Sequence, residues 1–348
     1  MVMDAHDVAA AIAWQADHAA NNGAPCTALV VRAQLVLLSG ETETGRRLAN
    51  WPGIPLEDAL PLRLAGGFHH LVLSGADTRL SGVYRGEVTD QAEVDALIMD
   101  LTRQHDAALL PWLDGPPQTN EAGRSASIMA ALLWLSPRIG PRFEMNELGA
   151  SAGVNTMMER YHYDLGVTQV GPEASPMQIR PEWRGEAPTP APVEITSIQG
   201  CDRALVNLAD PAEALRLKSY VWAEVTERLA RIDAAIRLAS ERAPDLVQMD
   251  AGDWVDQRLA APLEAGITRV FYHSIVWQYL PPETRARITS AITLAGEGGQ
   301  RLAWIMLETN RETFRHELTV RYWPGGSEPV LLGEAHAHGA WVAWHGEK

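Results

Sequence analysis

Basic charge is scarce in this 348-residue chain: 29 Lys and Arg face 44 Asp and Glu, a net charge of −15. Proteins that hold nucleic acid do so by neutralising phosphates with a basic face. No Lys/Arg cluster interrupts the acidic balance, so nucleic acid is excluded as the main ligand. Cysteine is scarcer still. Cys26 and Cys201 are far apart and neither belongs to a C-x-x-C pair, so no disulfide framework is expected and a reducing compartment fits. The N-terminal "MVMDAHDVAAAIAWQ" lacks the cationic start of a secretory signal. No apolar run reaches the ~18 residues that a membrane span requires. These absences together predict a cytoplasmic protein with no membrane partner.

What is present is an ordinary globular composition, with 46% hydrophobic and 21% charged residues. Residues 1–140 read as helical, with apolar residues three and four apart in "DVAAAIAWQADHAANNG", "CTALVVRAQLVLLSG", "LRLAGGFHHLVLSG" and "TDQAEVDALIMDLTRQHDAALLPWL". Residues 141–348 alternate instead. "PRFEMNELG", "VEITSIQGCD", "DLVQMDAGDW", "ITRVFYHSIVWQYL", "RLAWIMLE", "ELTVRYWPGG" and "HAHGAWVAWH" read as strands, and "VNTMMERYHYDLG", "PAEALRLKSYVWAEVTERLARIDAAIRLASERAP" and "PPETRARITSAITLAG" as helices. Residues 166–193 are rich in Pro and Gly and read as an irregular insertion. Strands alternating with helices predict an α/β fold, a largely parallel sheet covered on both faces, with ligands at the carboxyl ends of its strands.

One such end is "ELGASAGVN", residues 147–155. Gly149 to Gly153 fit G-x-S-x-G, which in hydrolases exposes a nucleophilic serine. Ser151, then Asp250 or Asp253, then His336 or His338 would supply a triad in chain order. The preceding residues, however, offer neither the expected strands nor an oxyanion-hole loop. The second reading makes the stretch a small-residue loop against which a nucleotide-like cofactor lies. Glu147 would then meet a cationic amine, Asp202 the ribose hydroxyls, and Asp250 an adenine amino group. The spacing disfavours a dinucleotide, since a third glycine would be wanted at Val154.

The series Glu147-x-Gly149-x-Ser151-x-Gly153, then "QGCD", then "QMDAGDW" resembles the sequential motifs of class I S-adenosylmethionine-dependent methyltransferases. More closely, "QTNEAGRSA", "ELGASAGVN", "ERYHYDLG", "GCD", "HSIVWQYL", "WPGG" and "HAHG" resemble a bacterial family of unknown function with a methyltransferase-like core, over nearly the whole chain. The resemblance implies a Rossmann-like methyltransferase-type sheet with helices on both faces, preceded by a helical region. It also implies S-adenosylmethionine as cofactor, held by Glu147, Gly149, Ser151, Gly153, Asn155, Asp202 and Asp250. Two departures stand out: Ser151 replaces a glycine, and the crossover from Glu147 to Asp202 exceeds the ~30 residues of a compact βαβ unit.

Around this loop, Gln118, Asn120, Glu121 and Arg124 of "QTNEAGR" are candidate pocket residues, although Thr119 or Asn120 would equally serve as a helix cap. Tyr161, Tyr163, Trp277 and Gln278 are further pocket candidates. His273, at the end of a strand, is a candidate general base. His336 and His338 lack a third ligand at diagnostic spacing, so no metal site is assigned. The expected activity is methyl transfer to a small molecule. A serine hydrolase, or a ligand-binding protein without catalysis, remains the alternative. The sequence is silent on oligomeric state.

Overall fold

The structure is a computed structural model that describes residues 6–118 and 120–346. Its contacts divide the chain into two units, residues 1–119 with 210–230, and residues 120–209 with 231–348. The boundary at 140 expected from the sequence falls inside the second of these units. The helix Ser125–Ile139 packs on strands of the second unit, because twelve of its residues are buried and need a sheet against which to lie.

The first unit is helical. Asp7 caps Val8–Asn21 by accepting from the Ala10 amide at 2.9 Å, and Thr42 and Asp90 cap Glu43–Ala49 and Gln91–Leu109 in the same way. Pro25 opens Pro25–Ala33 at a position where no amide hydrogen is needed. Ile12, Val30, Leu37, Leu48, Leu64, Phe68 and Leu101 form its core, each contributing about 1.5–3 kcal/mol by burial. The segment 210–230 joins this core. Tyr220 and Trp112 cover the helix Leu60–Leu73 at Gly66, where an added Cβ would come within 2.7 Å of the Tyr220 ring. One long helix was expected over this segment. The structure instead has two, Pro211–Ser219 and Thr226–Glu241, with a break at residues 220–225.

The second unit holds twelve strands among the described residues. They are β1 Arg142–Leu148, β2 His162–Leu165, β3 Thr168–Val170, β4 Gln178–Ile179, β5 Glu182–Arg184, β6 Glu194–Asp202, β7 Leu246–Gln248, β8 Thr268–Ser274, β9 Leu302–Thr309, β10 His316–Trp323, β11 Gly326–Ala335 and β12 Trp341–Trp344. Nine form one sheet in the order β5-β12-β11-β10-β9-β8-β1-β6-β7, and β3-β2-β4 form a second. The run β9-β8-β1-β6-β7 is parallel throughout, and β10 and β11 add antiparallel strands. The fold is thus α/β with a large, mostly parallel sheet.

Parallel strands buried on both faces read as continuous apolar runs, as in "RVFYH" and "LAWIML". Phe271, Leu302 and Trp304 pack with Trp254, Val255, Ile288 and Ile292 of the helices Ala251–Ala260 and Pro282–Glu297. Alternate residues Val270, Tyr272, Ala303 and Ile305 are also buried, on the opposite face.

The crossover from β1 to β6 differs from expectation. The residues after the glycine loop form a short 3-10 turn, Asn155–Arg160, and then β2, not a helix. Tyr161, His162 and Tyr163 favour an extended chain. The 166–193 stretch contributes β3, β4 and β5, so it is only partly irregular. β11 was not foreseen. Its first half is exposed and carries Gly326 and Pro329, which hide a strand pattern.

Candidate functional site

Strand order reverses beside β1, where chain connections leave β1 and β8 in opposite directions. At such a switch the carboxyl ends of the strands diverge and open a crevice. The loop 149–154 occupies this point. Its backbone is left-handed at Gly149 (φ 71°), Ser151 (φ 51°) and Gly153 (φ 71°). The amides of Gly149 and Ala150 both donate to the Cys201 carbonyl at 2.9 Å, drawing the loop across the end of β6. The Ser151 amide donates to Asp202 Oδ2 at 2.9 Å. Asp202 Oδ1 accepts from the Ala204 amide at 2.9 Å, so this carboxylate fixes two turns while keeping lone pairs for another donor.

Glycine at 149 is required twice, by its positive φ and by its neighbour. A Cβ there would lie 2.2 Å from Val276 Cγ2. Val276 belongs to a tight passage after β8, in which Ile275 adopts φ 53° despite its branched side chain. Glu308 Oε1 holds that passage by accepting from the Val276 amide at 3.1 Å and from His273 Nδ1 at 2.7 Å.

Glu147 ends β1 and is 2% exposed. Tyr272 reaches its Oε2 at 3.4 Å and also donates to the Asn155 carbonyl at 3.2 Å. Burial pushes the Glu147 carboxyl up to about 8, against the opposing influence of Asn155, Tyr272 and Arg124. Two more acceptors lie buried on the same loop without a hydrogen-bond partner, Ser151 Oγ and Asn155 Oδ1. Buried acceptors are usually paired, and orphaned polar atoms also occur elsewhere in the chain, as at Gln34, Ser127 and Trp254.

The "QTNEAGR" residues brace this loop. Asn120 Oδ1 accepts from the Val154 amide at 2.7 Å. Glu121 caps the Gly123 amide at 3.1 Å and pairs with Arg231 at 2.7 Å. Arg124 donates to the Ala337 carbonyl at 2.8 Å and the Ser274 carbonyl at 3.1 Å, tying the "HAHG" turn to the end of β8. The turn approaches so closely that a Cβ on Gly339 would meet Gly123 backbone at 2.4 Å. These three are buried supports of the site. Gln118 falls in the first unit, and the capping role considered for Thr119 lies outside the described residues.

Other expectations are corrected. Tyr161 and Tyr163 are fully buried and point into the protein. Tyr161 donates to the Val154 carbonyl, and Tyr163 donates to Ser125 Oγ and the Met158 carbonyl, both at 3.1 Å. They support the loop from inside. Asp250 caps the helix Ala251–Ala260, its Oδ1 accepting from the Gly252 amide at 2.9 Å. His273 is fully buried. The Trp304 indole, which can only donate, reaches its Nε2 at 3.1 Å, so Nδ1 carries the hydrogen given to Glu308. Trp277 stacks on its ring at 4.9 Å. Both ring nitrogens are thus hydrogen-bonded within the fold.

The triad is not assembled. The Ser151 hydroxyl has no partner, and Asp253 pairs with Arg287 at 2.7 Å. His336 accepts the His338 amide at 3.1 Å. No group of three His, Cys, Asp or Glu among the described residues has metal-holding geometry. A cleft of about 330 Å³ is lined by Thr156, Met157, Glu159 and Arg160, by residues 195–198 of β6 and by residues 242–245. No helix of the described residues is long and apolar enough to cross a membrane.

Over residues 9–344 the chain matches the family described as "uncharacterized protein conserved in bacteria" (DUF2332). The chain belongs to that family. Neither a curated protein nor a solved structure matches it. The DUF2332 span includes "QTNEAGR", "ELGASAGVN", "HSIVWQ" and "HAHG". Arg124, Asn120 and Gly339 connect these stretches at one edge of the sheet. Sequence reasoning did not single out Glu308, Val276 and Tyr272, although Val276 lies within "HSIVWQ". Only the pairing of β8 with β9 and β1 brings them to the site.

Proposed function

We propose that the chain is an S-adenosylmethionine-dependent methyltransferase of Rossmann-like type, acting on a small molecule at the carboxyl edge of β1, β6 and β7. One observation carries the reading: the left-handed loop at the strand-order reversal holds buried acceptors that lack donors, Ser151 Oγ and Asn155 Oδ1, beside the carboxyl of Glu147. The amino-acid end of S-adenosylmethionine brings an ammonium with three donors, which fits that set. The remaining lone pairs of Asp202 and the Oδ2 of Asp250 stand at the next two strand ends, suited to ribose hydroxyls and an adenine amine. When bound, the cofactor supplies an electrophilic methyl on sulfur.

The residues of the chain supply position. Asn120 and Tyr161 fix the loop, and Glu308 fixes the passage through Val276 that faces it. Holding two reactants in line is worth several kcal/mol without any covalent nucleophile. Ser151 therefore contributes no bond-making step. The commitment of His273 favours, as a second reading, a protein that binds the same ligand without transferring its methyl.

Calorimetric titration with S-adenosylmethionine and S-adenosylhomocysteine tests the proposal. Saturable binding is expected, weakened at least tenfold in Asn155→Ala. The absence of binding at millimolar ligand, with no rise in melting temperature, would remove both readings.

A further inference from the structure

We propose that Glu147 is an uncharged carboxylic acid in the free protein and releases its proton to solvent when an ammonium-bearing ligand seats against the loop 149–155. The inference rests on the ligand class given above and adds a proton to its binding equilibrium. The O–H bond of the carboxyl breaks, the proton passes to buffer, and the carboxylate faces the ammonium. Nothing is oxidised or reduced.

The geometry explains why the acid is neutral alone. Glu147 is withdrawn from water at the end of β1, and a buried carboxylate is costly unless paired. The groups facing it are few. β8 presents the Tyr272 hydroxyl, a weak contact at 3.4 Å. The loop presents the Asn155 amide, with Tyr161 beyond it. β6 presents the Asp202 carboxylate, which opposes a second negative charge, and the Cys201 thiol. Arg124 is the cation among them, and its guanidinium is drawn to the Ala337 and Ser274 carbonyls. Burial and Asp202 outweigh it, and the carboxyl is pushed up to about 8. Adding a cation reverses that balance. The unpartnered Ser151 Oγ and Asn155 Oδ1 supply the other acceptors such a cation needs.

The test is calorimetry on the full chain at pH 7 in two buffers of different ionisation enthalpy. S-adenosylhomocysteine is expected to release about one proton per ligand, with affinity rising about tenfold from pH 6 to pH 7. 5′-Methylthioadenosine, which lacks the ammonium, is expected to bind without release. Glu147→Gln should abolish the release while its melting curve reports that it folds. If that variant does not fold, the comparison of the two ligands on the natural protein still decides. Identical heats in both buffers for S-adenosylhomocysteine would overturn the inference while leaving the proposed function intact, as would equal release with 5′-methylthioadenosine. No binding of either ligand would overturn both.

Discussion

Glu144 and Glu147 lie on the same strand, one near its start and one at its end, and both are shielded from solvent. Glu144 receives Arg258 and Arg269, each at 2.7 Å. Burial alone would raise its carboxyl, but the two guanidiniums outweigh it and hold it below the usual range. At Glu147 burial instead outweighs the opposing influence of Asn155, Tyr272 and Arg124, and the carboxyl is pushed up to about 8. The same side chain on the same strand is thus completed by the fold at one end and left incomplete at the other. A completed charge is architecture, whereas the incomplete one at the strand-order reversal is what the proposed cationic ligand would complete.

The largest effect that can break this comparison is on Glu144. Glu144→Gln leaves the guanidinium of Arg269 buried without its counter-charge, and should cost about 3–5 kcal/mol in urea unfolding. A loss below about 1 kcal/mol would mean that the pairing is not structural. Gly149→Ala comes next, at about 1–3 kcal/mol, because the new methyl meets Val276 in a left-handed backbone. Adding Val276→Ala should restore part of that loss, and strictly additive effects would deny the contact.

Glu147→Gln acts through pH. In the folded chain the carboxyl keeps its proton up to about 8, well above the ordinary 4.5. A raised carboxyl contributes stability that is complete below the ordinary value and lost as pH rises through the folded one. The natural protein should therefore lose about 1–2 kcal/mol relative to Glu147→Gln between pH 6 and pH 8. Parallel melting profiles for the two proteins would contradict the burial argument. The smallest effect belongs to Ser151→Gly, which relieves a positive φ and an unpaired hydroxyl. A gain of about 0.5–1 kcal/mol is expected. Ser151→Ala should weaken ligand binding but leave methyl transfer at saturating ligand largely intact, whereas complete loss of activity with ligand binding unchanged would revive the hydrolase reading.

Much of the parallel sheet was legible because "RFEMNEL", "EITSIQGCD" and "LAWIMLET" are compact apolar or alternating runs bounded by turn residues. The strand-end acids Glu147, Asp202 and Asp250 could be placed for the same reason. Other parts depended on tertiary contacts that no local pattern carries. "YHYD" followed a helix-like run yet joins a small sheet, because β3 and β4 offer it partners. His273 sits where a base would be useful. What no local pattern shows is that the indole of Trp304 and the carboxylate of Glu308 on the neighbouring strand occupy both its ring nitrogens. Asn120 looked equally like a cap and a pocket residue. Its Oδ1 accepts from the amide of Val154 across the fold, and the cap on its own segment is Glu121.

The central claim is that the carboxyl of Glu147 awaits a cationic ligand, and infrared difference spectroscopy reads that group directly. On adding S-adenosylhomocysteine at pH 7, the account predicts loss of one buried protonated-carboxyl band and gain of a carboxylate band. Both changes should be absent in Glu147→Gln. Saturable binding with no change in the protonated-carboxyl band would contradict it.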